Sequence, residues 1–170
     1  MAVNIEGILE DLGLDLLPRQ GLRRHADGYL ARDPRLIVVD ESILAYMSRA
    51  RFTIAEEVCH LILEYKLLAG GHLPKGAHGH ELSEKQRFFV EKDATSLASA
   101  LLMPPTEFAL TIHAKRRELE ATHAPLANVL RETLKHAADV FQVSPMAAGY
   151  RALKLKLVTR GELRQAFPNG

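Results

Sequence analysis

The chain has 170 residues, 47% hydrophobic and 25% charged, enough to bury the core of one ordinary domain and too few for two large ones. Its 22 Lys and Arg against 21 Asp and Glu leave a net charge of +1, which excludes a chain-wide electrostatic pull toward nucleic acid or anionic membrane. The single cysteine, Cys59, excludes an internal disulfide, no apolar run approaches the ~18 residues of a membrane span, and the opening MAVNIEGILEDLG lacks the basic and long apolar regions of a signal peptide, so a cytoplasmic protein is expected.

Along the chain, Ile5, Ile8, Leu9 and Leu12 fall at helical spacing and predict a short amphipathic helix over residues 3 to 12, stopped near Gly13. LDLLP then reads as extended. Two short runs in HADGYLARDPRLIVVDES flank the turn signal Asp33-Pro34, and the second is rich in β-branched residues, which predicts a hairpin. From Ile43 to Leu68 the pattern turns helical, with Phe52, Ala55, Val58, Cys59 and Ile62 as an apolar stripe, and this helix is expected to be central.

Residues 69 to 86, AGGHLPKGAHGHELSEKQ, carry three histidines among glycines and predict a flexible loop. A second long helix runs through EKQRFFVEKDATSLASALLM and must end at Pro104-Pro105, because proline lacks the amide an interior helical position needs. TEFALTIHAKRRELE is a third helix. Beyond it, two helical segments meet at FQVSP, where Ser144 is a natural N-cap and Pro145 a natural first residue. Residues 134 to 158 thus have the cadence of a helix-turn-helix, with Arg151, Lys154, Lys156 and Arg160 near its end and no acid between 140 and 161. The second of these helices is rich in alanine and leucine, which suits packing better than reading base edges, so direct nucleic-acid binding is not expected.

Most of the chemistry lies in RFTIAEEVCHLILE, residues 51 to 64. In a zinc-peptidase helix of the form HExxH two histidines stand four residues apart, about 40° around the helix, and grip one metal while the glutamate after the first serves as general base. Here the two ligand positions are Glu56 and His60, and the base position is Glu57. Cys59 points about 100° from His60 and reads as a core residue. Other candidates for a metal are His72, His78 and His80 in the glycine-rich loop, and more remotely His113.

Two stretches together, RFTIAEEVCHLILE and VEKDATSLASALLMP, resemble the ImmA/IrrE family of metallopeptidase-like proteins. Arg51, Phe52, Thr53, Ala55, Glu57, His60 and Leu61 match its first motif, and Glu91, Ala94, Ala98, Leu101, Leu102, Met103 and Pro104 its second. The resemblance implies a gluzincin-like α+β domain, with a small antiparallel sheet beside a central metal-site helix and a mostly helical C-terminal half. It implies a metallopeptidase-like core over residues 1–104 and a helical C-terminal extension over 105–170 packed on it.

It also implies that Glu91 on the second helix is the acidic metal ligand, completing the set Glu56, His60 and Glu91 around the catalytic base Glu57. Asp93 matches an often acidic position but lies about 200° from Glu91. The chain departs from the family at Glu56, where a histidine is expected, and at Thr95, where asparagine or aspartate is preferred. Two carboxylates and one imidazole are a harder donor set, which admits zinc, shifts preference toward manganese, or leaves the helix metal-free. The expected function is metal-dependent endopeptidase activity on a helix-turn-helix repressor, impaired by Glu56. The alternative is a non-catalytic pseudopeptidase that uses the old cleft to bind a partner.

Overall fold

In the computed structural model, which describes residues 2–22, 26–31, 35–69, 84–123 and 125–168, without the side chains of 65–69 and 86, each element sits where local chemistry favours it. Helix α1, Ile5–Leu12, starts at Asn4, whose side chain accepts from the Gly7 amide at 3.1 Å, and stops at Gly13 with φ of 61°, a left-handed turn that glycine makes without a Cβ penalty. Strand β1 is Asp15–Arg19, β2 is Gly28–Ala31 and β3 is Leu36–Asp40. Residues 32–34, with the expected turn, and 70–83, with most of the expected loop and its three histidines, lie outside the described residues.

The strand order is β1-β3-β2. The antiparallel pairing expected of a hairpin joins β2 to β3, with Leu30 opposite Ile37, but β1 adds to the other side of β3 in parallel, so the sheet is mixed. This order follows from composition. Pro18 has no amide to give a ladder and is tolerated because β1 is an edge strand, whereas Ile37, Val38 and Val39, β-branched and buried, fill the centre.

The helix expected from Ile43 begins differently. Asp40 accepts hydrogen bonds from the Ser42 amide at 2.9 Å and the Ser42 hydroxyl at 2.5 Å, which winds Glu41–Ala45 into a 3₁₀ turn. After a break at Tyr46 the long helix α2 spans Met47–Ala69. It packs against β2, β3 and α1, and Ala50, Arg51, Thr53, Ile54, Ala55, Val58, Cys59 and Leu61 are buried. Helix α3 is Glu84–Leu102 and α4 is Pro105–Glu120, with Pro105 at the first position of α4. Helix α5 is Leu126–Phe141 and α6 is Pro145–Lys154, capped as expected by Ser144, whose hydroxyl accepts from Ala147 at 3.1 Å. A further helix, α7 at Arg160–Ala166, carries a capping box between Thr159 and Glu162.

The chain divides into two compact units, Asn4–Ala98 and Ser99–Gly170 with Met1–Val3, and the division falls inside α3. In the first, α2 on the sheet forms the core. In the second, α5 is the hub for α4, α6 and α7, with Phe108 and Phe141 in contact at a ring-centroid distance of 5.5 Å. Two arginines finish helix ends there. The Arg151 Nε donates to the Met103 carbonyl at 3.0 Å, and the Arg131 Nε donates to the Ala166 carbonyl at 3.0 Å, each supplying a carbonyl that the end of a helix leaves without a partner.

How close α2 lies to the sheet is set at Gly28. A Cβ there would come within 2.9 Å of Thr53 Cγ2 and 2.9 Å of the Val38 carbonyl oxygen, and the latter is backbone that cannot swing away. Gly28→Ala is therefore expected to destabilise the protein by about 1–3 kcal/mol through overpacking, measured as a lower urea midpoint with an unchanged slope.

Candidate active site

Three side chains come from α2 and two from α3. The buried stripe of α2 faces the sheet and leaves Glu56, Glu57 and His60 partly exposed along one side, four and three residues apart. From α3, Glu91 and Thr95 stand one helical turn apart and meet them. The His60 Nε2 lies 3.3 Å from the Glu91 Oε2. The Thr95 hydroxyl donates to the Glu56 Oε1 at 2.5 Å and lies 3.0 Å from the Glu91 backbone carbonyl. Its single proton serves one acceptor at a time, and the short contact to a carboxylate is the stronger.

Glu56 and Glu57 are partly buried, whereas Glu91 is exposed. Burial pushes the Glu57 carboxyl above the usual range, and the neighbouring Glu56 and Glu91 push it the same way, while His60 and the backbone amide of Leu30, which hydrogen-bonds to Glu57, pull it down. Leu30 belongs to β2, so the edge strand reaches the site through its main chain. That contact has no signature in the side-chain pattern, and the sequence reading missed it. Asp93 is exposed and makes no hydrogen bond or ion pair among the described residues.

The structure thus brings together Glu56, Glu57, His60 and Glu91, but as pairs. Among the described residues no group of three or more His, Cys, Asp or Glu side chains is arranged to hold a metal ion. The chemistry of the donors explains this: Glu56 takes its hydrogen bond from Thr95, His60 faces Glu91, and Glu57 is turned to Leu30. Cys59 adds no ligand, since it is fully buried and burial beside Glu56 pushes its thiol up to about 12, keeping it protonated. His113 lies exposed on α4, and His72, His78 and His80 fall outside the described residues.

The two departures from the family pattern touch each other. A metal-bound histidine donates its far ring N–H to an acceptor, the role that asparagine or aspartate at position 95 would fill. Here the side chain on α2 is the acceptor, Glu56, and the side chain on α3 is the donor, Thr95, and the bond joins the two helices.

Comparison with known proteins agrees with this architecture. The profile of the family described as peptidase M78, IrrE N-terminal-like domain, matches residues 9–153. No curated protein is detectably similar to the chain. Among solved structures, a Mycobacterium tuberculosis transcriptional regulator is similar with a TM-score of 0.59 at 17% identity, over 88% of this chain and 39% of its own. At that identity the likeness is one of fold, and the present chain spans well under half of the regulator.

The raised Glu57 carboxyl has a signed consequence. A carboxyl that holds its proton more tightly folded than unfolded gives stability that is complete at acid pH and lost as pH rises from the ordinary carboxylate range through the raised value. Gln is a neutral isostere whose oxygen still accepts from Leu30, so Glu57→Gln is expected to melt several degrees higher than the parent near pH 7.5. The gain should shrink to nothing on acidification toward pH 4, as followed by a series of thermal melts.

Proposed function

The chain belongs to the IrrE N-terminal-like peptidase family, and from that premise we propose that it is a member whose hydrolytic chemistry is impaired and whose cleft holds a partner protein. The observation that carries this reading is the Thr95 to Glu56 hydrogen bond. For Glu56 to turn toward a cation with His60 and Glu91, it would first have to give up a short, charge-assisted bond, and Glu91 its contact with His60. What remains is a partly exposed acidic surface on two helices beside the edge strand β2. Such a surface suits a basic segment of a partner.

The partner class that the family resemblance implies is a helix-turn-helix DNA-binding repressor. Likeness of fold to a transcriptional regulator supports placing it in gene regulation. Such a partner implies the cytoplasm as the site of action, and no described helix is long and apolar enough to cross a membrane. Direct contact with DNA is left to that partner.

Glu57 favours a second reading, metal-dependent cleavage of the same repressor. A buried carboxyl that takes up a proton readily is suited to carry it from a nucleophile to a leaving amine. Zinc, or manganese with this harder donor set, would supply the polarisation of the scissile carbonyl in that reading, with Glu56, His60 and Glu91 as its holders.

Metal content decides between them. Protein purified without chelator is expected to carry zinc and manganese well below one equivalent by elemental analysis. Glu56→His should raise zinc affinity, and Glu56→His with Thr95→Asn should bind about 10–100-fold more tightly than the single variant, because the restored histidine then has its acceptor, as titration calorimetry would record. One equivalent of tightly held metal in the parent protein, together with cleavage of a repressor that Glu57→Gln abolishes, would replace the binding reading with the catalytic one.

A further inference from the structure

Helices α6 and α7 of the second unit enclose a cavity of about 440 Å³ lined by Met146, Tyr150, Leu153, Leu163 and Phe167, with Arg160 and Arg164. Its make-up is that of a recognition groove rather than a gap in a core. The floor is apolar and aromatic, yet Tyr150 is 60% exposed, so the groove is open along one side. Arg160 and Arg164 stand four residues apart on α7, about 6 Å along its axis, and neither makes an ion pair among the described residues.

Acids are sparse along this part of the chain. No acid occurs between residues 140 and 161, and the first one after them, Glu162, is turned away from the groove. Its carboxylate accepts from the Thr159 amide at 2.7 Å and the Thr159 hydroxyl at 2.8 Å, and it faces Arg116 of α4 at 3.5 Å. The capping box and Arg116 therefore engage the Glu162 carboxylate, which forms no ion pair with Arg160 or Arg164.

We infer that the groove between α6 and α7 is a docking site for an acidic amphipathic helix of a partner protein, its apolar side laid on Met146, Leu153, Leu163 and Phe167 and its carboxylates on Arg160 and Arg164. Charge complementarity selects this occupant. Carboxylates at i and i+4 on a helix repeat at the spacing of the two arginines, and tyrosine, arginine and methionine are the residues that carry affinity at such surfaces. A small molecule fits less well, since ligand pockets bury roughly 70–90% of their occupant and this groove is open. Duplex DNA would find the arginines but leave the apolar floor uncovered. The inference is independent of the α2 and α3 site and stands whichever reading of that site holds.

The test uses the full chain and a fluorescein-labelled, helix-forming 16-residue peptide with Leu and Phe at i, i+3, i+4 and i+7 and Glu at i+1 and i+5, followed by anisotropy. Saturable binding in the micromolar range is expected. It should weaken at least ~10-fold when the peptide's Glu residues become Gln, and equally when Arg160→Glu and Arg164→Glu are combined. Tyr150→Ala, exposed and therefore safe for folding, should weaken it as well, and circular dichroism verifies that each variant is folded. The inference fails if the peptide does not saturate, if the Gln peptide binds as well as the Glu peptide, or if the arginine variants bind unchanged. A 20-base-pair duplex that binds in an arginine-dependent way while the peptide does not would make this a nucleic-acid surface instead.

Discussion

Everything at the site depends on how closely α2 can lie on the sheet. A side chain at position 28 would lift Thr53 and the helix away from β2, and Gly28 removes that obstacle. The close approach has two effects. It buries one side of α2 almost completely, so the partly exposed polar residues between 56 and 60 are confined to the remaining side. It also brings the main chain of β2 within hydrogen-bonding reach of Glu57, so that this carboxylate is held by the sheet while its neighbours are held by α3. One packing constraint thus sets both the burial and the partners of the ionisable groups.

Within that frame, the hydrogen bond from Thr95 on α3 to Glu56 on α2 joins the two positions at which the sequence departs from the pattern it resembles. A carboxylate in place of a histidine, with an acceptor still opposite it on α3, would have set two acceptors face to face, a costly arrangement where solvent is partly excluded. A donor at position 95 removes the conflict. Glu56 and Thr95 thus satisfy each other across the two helices.

Much of the fold was legible in the sequence where one local rule was strong enough to act alone. The stop of α1 at Gly13, the break at Pro104-Pro105 and the Ser144 cap with Pro145 behind it all follow from backbone chemistry confined to a few residues. The parallel pairing of β1 was not legible, because strand direction is a property of the whole sheet. Nor was α7, which is only seven residues long and has Gly161 in its first turn, although its T-x-x-E capping box was there to be read. At the site, the grouping of residues from 56 to 60 with Glu91 and Thr95 could be anticipated from spacing and motif. The amide of Leu30 could not, since a backbone donor leaves no mark on composition.

Cys59 has a use that comes from its position between Glu56 and His60. It is the only thiol in the chain, it is wholly buried, and its proton is held up to about 12, so in the closed fold it is inert to alkylating reagents. Reaction requires the helix that bears the site to part from its surroundings, at which point the thiol regains its ordinary acidity. The rate of modification under native conditions is therefore a clock for local opening of α2, free of interference from any second cysteine. A ligand that settles on the cleft and clamps that helix would slow the clock without itself needing a chromophore or a label.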